Sequence, residues 1–192
     1  MPLVIKNLSK AFDNKKIFEN FNYTFAERGI YVLVAPSGRG KTTLLRMIAD
    51  LDKAYTGEIN SESVAYAFQE YRLFPVLNAL GNVANILWER PTVEQIQAAK
   101  NLLSFFGFSE ADMQLYPNAL SGGMKQRVSL CRALLADRKI LLLDEPFKEL
   151  DDTLRERLRS VLAEVAKKRL IILTAHTMDA LGDLERNILS LE

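Results

Sequence analysis

The 192-residue sequence predicts an α/β fold: a mainly parallel sheet with crossover helices, a small antiparallel β part near the start and a helical insert in the middle. Three observations predict it. Segments at 30–35, 139–144 and 170–174 are strand-sized with apolar interiors that lack polar alternation, the mark of strands buried on both faces. Segments with apolar residues at helical intervals separate them, and a glycine-rich loop joins the first run to the first such segment. Strands alternating with helices give a parallel sheet with crossover connections.

The elements read in order as follows. Residues 3–8 and 17–25 have strand character and are separated by the turn-like Asp13-Asn14-Lys15-Lys16. The buried run 30–35 leads into the glycine-rich loop. Residues 42–51 then carry Leu44, Leu45, Ile48 and Leu51 at helical spacing. A short strand ends near Gln69. The insert spans approximately 78–120, where Thr92 and Gln95 form a capping box. Val93, Ile96, Leu103 and Phe106 follow at helical intervals, and Gly107 is a stop.

Beyond Ser121, Met124, Val128, Cys131 and Leu135 share a helical face. After the second buried strand, Leu154, Leu158, Val161, Leu162 and Val165 form the stripe of a long helix, with Arg155, Glu156, Arg159 and Lys167 opposite. A last short strand falls at 187–191. The whole reads as one domain, 1–192, with no C-terminal regulatory domain.

Composition narrows the function classes. Lysine and arginine number 25 against 24 acidic residues, so no single-sign field points to nucleic acid. No apolar run approaches the roughly 18 residues that cross a bilayer, and the start lacks the pattern of a signal peptide. Cys131 is the only cysteine, which excludes an internal disulfide and fits a reducing compartment. It reads as core packing, and Trp88 with Phe105 and Phe106 as core or partner contacts. The expected location is the cytosol unless a partner holds the chain at a membrane.

Four clusters carry chemistry. Pro36-Ser37-Gly38-Arg39-Gly40-Lys41-Thr42-Thr43 lies between strand and helix, the context of a phosphate-binding loop. Glycine there lets successive N–H groups face an anion, and the helix N-terminus adds positive potential. Lys41 reaches the β- and γ-phosphates, and Thr42 offers a hydroxyl to Mg²⁺. Ala35 stands where the general pattern has glycine. Asp144, at the end of the second buried strand, is placed to hold Mg²⁺ through water, and Glu145 to polarise an attacking water. Ser121-Gly122-Gly123 heads a helix as a second anion site, or simply a cap.

Those motifs together, with Leu120-Ser121-Gly122-Gly123-Met124-Lys125-Gln126-Arg127 between loop and acidic strand end, resemble the ATP-binding cassette (ABC) family over nearly all of the chain. The resemblance implies the phosphate-loop NTPase fold with the ABC helical insert, and ATP with Mg²⁺ as ligands. It implies that the signature at Ser121, Gly122 and Gly123 closes over ATP held by a second subunit, so that a single-cassette chain dimerises, as a homodimer in the first instance.

By the same resemblance Gln69 contacts Mg²⁺ and the attacking water, His176 contacts the γ-phosphate, and Asp151 matches the interface loop after Glu145. Phe12 stacks on adenine, with a plain core aromatic as the competing reading. Lys148 and Glu149 depart from the usual Ser-Ala of that loop, and Thr177 from the usual acid.

The implied function is an ATP hydrolase that drives separate transmembrane permease subunits of a bacterial-type importer. The chain would lie peripherally on the inner face of the membrane, with a solute-binding protein as a further partner and no nucleic acid. The segment Phe68-Gln69-Glu70-Tyr71-Arg72-Leu73-Phe74-Pro75 resembles importer ATPases of the nitrate, sulfonate and thiamine-precursor kind. The alternative is a soluble ABC ATPase of cluster assembly, repair or translation. A phosphate-loop kinase would leave the signature unexplained.

Overall fold

The computed structural model describes residues 1–13, 15–85, 91–175 and 178–191. Strands β1 (Leu3–Phe12) and β2 (Lys15–Phe25) form an antiparallel ribbon, and β3 (Gly29–Val34) leads into α1 (Lys41–Ile48). Strands β4 (Thr56–Ile59) and β5 (Val64–Ala67) follow. Then come the helices α2 (Ala79–Ala84), α3 (Val93–Phe105), α4 (Glu110–Met113) and α5 (Gly122–Leu135). The chain continues through β6 (Ile140–Leu143), α6 (Asp152–Ala166), β7 (Leu170–Thr174) and β8 (Asn187–Ser190).

Five strands form one sheet in the order β5-β6-β7-β3-β8, every neighbouring pair parallel. The smaller sheet, β2-β1-β4, is antiparallel. Strand β4 is an addition to the sequence reading: it adds a third strand to the early ribbon.

The all-apolar runs are explained by burial on both faces. Val32, Leu141, Leu143, Ile171 and Leu173 join the core beneath α2, α3, α5 and α6. Their neighbours Tyr31, Leu33, Ile140, Leu142, Leu170 and Ile172 turn to the opposite core, shared with α1, β1 and β2. Each such fully buried leucine or isoleucine contributes about 1.5–3 kcal/mol. Because the strands are parallel, all their C-terminal ends open on one edge, where the phosphate loop after β3, Gln69 after β5 and Asp144 after β6 begin.

Local signals fixed several ends. The capping box at Thr92 forms: its hydroxyl accepts the Gln95 N–H at 3.3 Å and the Gln95 side chain accepts the Thr92 N–H at 2.9 Å. Gly107, at φ 83°, ends α3 as expected, and Phe108 N–H returns to Leu103 O at 3.0 Å. Two periodicity readings fail at helix ends. Helix α1 stops at Ile48 because Asp50 turns left-handed (φ 57°), which leaves Leu51 54% exposed. Val93, the first residue of α3, faces solvent rather than the core. Cys131 is fully buried and burial pushes its thiol up, in keeping with core packing. Trp88 lies outside the described residues.

Two buried polar clusters tie the layers. Lys10 sits on β1, 5% exposed, with its ammonium 2.8 Å from Asp52 and 2.9 Å from Ala54 O. Asn82, fully buried on α2, accepts the Phe74 N–H at 2.7 Å and donates to Phe74 O, Leu77 O and Asn78 O. That one amide holds the segment after Gln69 onto the helical insert.

Candidate nucleotide site and signature helix

The phosphate loop hangs between β3 and α1. Gly40 caps α1 in a left-handed conformation (φ 93°), and a Cβ there would run into Ile17 and Phe18 of β2. Glycine is therefore required twice over, by backbone and by space. Ala35 is absent from the described non-glycine residues with positive φ, so alanine is unstrained at that position. Lys41 folds back over the loop, its ammonium 2.6 Å from Ala35 O and 3.3 Å from Pro36 O. Pro36, Ser37, Gly38 and Arg39 form the turn, and Thr42 and Thr43 open the helix.

At the neighbouring strand end, β6 and β7 run in parallel register, Leu143 beside Leu173. The next pair, Asp144 and Thr174, is therefore adjacent: the buried Thr174 hydroxyl donates to Asp144 Oδ1 at 2.7 Å and accepts the Glu145 N–H at 2.8 Å. Tyr66 reaches the other carboxylate oxygen at 3.4 Å, and its phenol is held well above its ordinary value, first by burial and then by that negative charge. Glu145 has left-handed backbone (φ 55°). Its Oε2 accepts the Gln69 amide at 3.2 Å, and Gln126 of α5 donates to both Glu145 O and Pro146 O at 3.2 Å.

A cleft of about 140 Å³ gathers Thr42, Gln69 and Asp144, lined also by Arg46, Tyr66 and Arg72. A hydroxyl, an amide oxygen and a carboxylate are hard oxygen donors of the kind Mg²⁺ takes when phosphates supply the rest. Larger clefts of 540 and 660 Å³ lie at the opposite, N-terminal ends of the strands and hold none of these residues.

The remaining expected residues are more dispersed. Phe12 is 48% exposed with the Lys10 ammonium 4.6 Å from its ring centroid, which removes the core-aromatic reading. The hairpin that carries it reaches the phosphate loop through Ile17. Ser121 caps α5, its hydroxyl accepting the Met124 N–H at 3.3 Å, with Gly122 and Gly123 in the first turn. Asp151 caps α6, accepting the Leu154 N–H at 2.8 Å. His176 and Thr177 lie outside the described residues.

Sequence reasoning missed Thr174 and Tyr66, which parallel register puts beside Asp144. It also missed Arg132, whose guanidinium donates to Tyr71 O at 3.3 Å and Arg72 O at 3.1 Å. That arginine, whose charged form is disfavoured by burial, lines a groove of about 410 Å³ with Phe68, Arg72, Phe74 and Arg138.

A phosphate-binding loop whose Thr42 shares a cleft with a buried carboxylate at a neighbouring strand end fits the class of phosphate-loop nucleotide hydrolases. The sequence model described as "ABC transporter" matches residues 18–148, and the chain belongs to that family.

It is 39% identical to the aliphatic sulfonates import ATP-binding protein SsuB of Bacillus subtilis (strain 168), covering 93% of this chain and 75% of the relative. Identity is also 39% to the sulfate/thiosulfate import ATP-binding protein CysA of Neisseria meningitidis serogroup A, over 86% of this chain and 51% of the relative. Among solved structures, the ATP-binding cassette MJ0796, a dimer in a post-hydrolysis state bound to ADP and Pi, superposes with a TM-score of 0.82 at 25% identity. That match covers 99% of this chain and 94% of that one. No helix among the described residues is long and apolar enough to cross a membrane.

Proposed function

We propose that this chain is the ATP-hydrolysing subunit of an importer, working as a pair of copies on the inner face of the membrane beneath separate permease subunits. The observation that carries the reading is the convergence of Thr42, Gln69 and Asp144 on one cleft, with Glu145 held by Gln69 at 3.2 Å beside it. The relatives named above are import ATP-binding proteins, which supports importer over the soluble ABC alternatives.

In the mechanism, the loop 36–43 receives the triphosphate on its backbone amides, and Lys41 exchanges its two carbonyl partners for phosphate oxygens. Phe12 offers an exposed ring face to adenine. Thr42, Asp144 and Gln69 would hold Mg²⁺, which when bound offsets charge on the β- and γ-phosphates. Glu145 orients the attacking water and takes its proton, a role worth about 10²- to 10⁴-fold.

The phosphate loop serves one side of the γ-phosphate. Ser121, Gly122 and Gly123 from a second copy serve the other with donors at the head of α5, each well-placed donor worth about 3 kcal/mol. By family resemblance His176 would contact the γ-phosphate. The insert 78–120 transmits closure through the segment that Asn82 and Arg132 hold, and the groove beside Phe74 receives the permease. Solute selection belongs to the permease and a solute-binding protein.

The test is to trap the ATP-bound state with Glu145→Gln and recover that variant, with ATP, from detergent-solubilised native membranes. A polytopic membrane chain at fixed stoichiometry is expected. Recovery of soluble proteins alone, with ATP still bound, overturns the importer reading.

A further inference from the structure

The loop after Glu145 reads Lys148-Glu149-Leu150-Asp151, and the structure gives its unexpected acid a definite seat. Glu149 has left-handed backbone (φ 57°). Its Oε2 accepts the Tyr71 hydroxyl at 3.0 Å. The same oxygen lies 2.8 Å from where a Cβ on Gly122 would stand, and the Tyr71 hydroxyl lies 3.4 Å from that point. Glu149 O is 3.3 Å from the corresponding position on Gly123. The carboxylate thus fills the space that a side chain on the first residue of α5 would occupy. Tyr71, whose phenol burial and Glu149 together push up, fastens it there.

We propose that Glu149 sets how readily the head of α5 accepts a phosphate from the opposite subunit, acting as a resident negative charge that closure must overcome. This rests on the shared-site reading above. A helix N-terminus offers its partial positive charge and unpaired N–H groups to one anion at a time. A carboxylate beside Gly122 lowers the positive potential there, and a γ-phosphate arriving next to it meets like-charge repulsion in a site that is losing water.

Tyr71 makes the effect conditional. Its carbonyl, with that of Arg72, is held by Arg132 at the edge of the groove. Movement of this segment by an occupant of the groove withdraws the hydroxyl that holds Glu149 over the helix. Partner engagement and dimer closure are thereby linked through one side-chain contact.

The test uses purified full-length protein in the Glu145→Gln background, with mass followed by light scattering across an ATP titration. Glu149→Gln keeps the shape of the side chain and removes its charge. The ATP concentration for half-maximal dimer is expected to fall about fivefold or more, with binding of a fluorescent ATP analogue to the monomer unchanged. Tyr71→Phe moves the midpoint the same way by less, and added salt narrows the gap between Glu149 and its glutamine variant. A Glu149→Gln midpoint equal to or above that of the parent overturns the proposal. A parent that stays monomeric at saturating ATP overturns the shared-site reading instead, and this inference with it.

Discussion

The strand ends and the head of α5 are built on opposite terms. At the ends of β6 and β7, Asp144 is 5% exposed, Thr174 is fully buried, and each polar atom of the pair meets another inside the molecule. At the head of α5, Ser121 and Gly122 are exposed, and what lies against Gly122 is a surface carboxylate. The first region is finished within one chain. The second places a capping serine and a helix terminus at the surface, which supports the proposal that it serves a phosphate held by another copy.

The largest effect that sharpens this contrast is Glu145→Gln. Hydrolysis is expected to fall by about 10³-fold while the monomer still binds ATP, read by phosphate release and by a fluorescent ATP analogue. Undiminished hydrolysis would remove Glu145 from its role. Thr174→Val strips the hydroxyl that serves both Asp144 Oδ1 and the Glu145 N–H. A loss of stability of about 2 kcal/mol is expected, together with at least tenfold slower hydrolysis. If Thr174→Val matches the wild type on both counts, the strand ends are not the rigid half.

Away from both regions, Asn82→Ala removes four hydrogen bonds from the segment after Gln69. It is expected to lower Tm by about 4–8 °C, an effect of about 2 kcal/mol, with ATP affinity of the monomer retained. Loss of ATP binding in a folded variant would contradict the separation.

The smallest effect concerns the pair beneath the ribbon. Hydrogen bonding from Lys10 is the largest cause holding the Asp52 carboxyl below its ordinary range. A depressed folded value means stability that is present above the unfolded carboxylate pKa and lost as pH falls through the folded one. Asp52→Asn should therefore be less stable than the parent at pH 7 by about 1 kcal/mol, the gap closing below about pH 4. A pH-independent gap would show that charge is not what the pair contributes.

What was legible in the sequence was local. The phosphate loop, the capping box at Thr92 and the stop at Gly107 are each written within a few residues, where backbone geometry dictates residue type. The buried runs were legible because strands covered on both faces exclude polar residues. Leu51 and Val93 misled because periodicity does not record where a helix ends, which Asp50 and Thr92 decide. Thr174, Tyr66 and the Tyr71–Glu149 contact were invisible because strand register and loop packing pair residues 30 to 78 positions apart. The proposed pairing of two copies could be read only because the sequence offers two candidate anion sites and family resemblance gives the second a use.

The most direct test of two half-sites meeting between copies is the mass of Glu145→Gln by light scattering with saturating ATP, alone and combined with Ser121→Arg. The account predicts an ATP-dependent doubling for the single variant, and for the double variant a monomer that still binds ATP. A double variant that dimerises as well as its parent would contradict it, because the head of α5 would then have no part in closing the site.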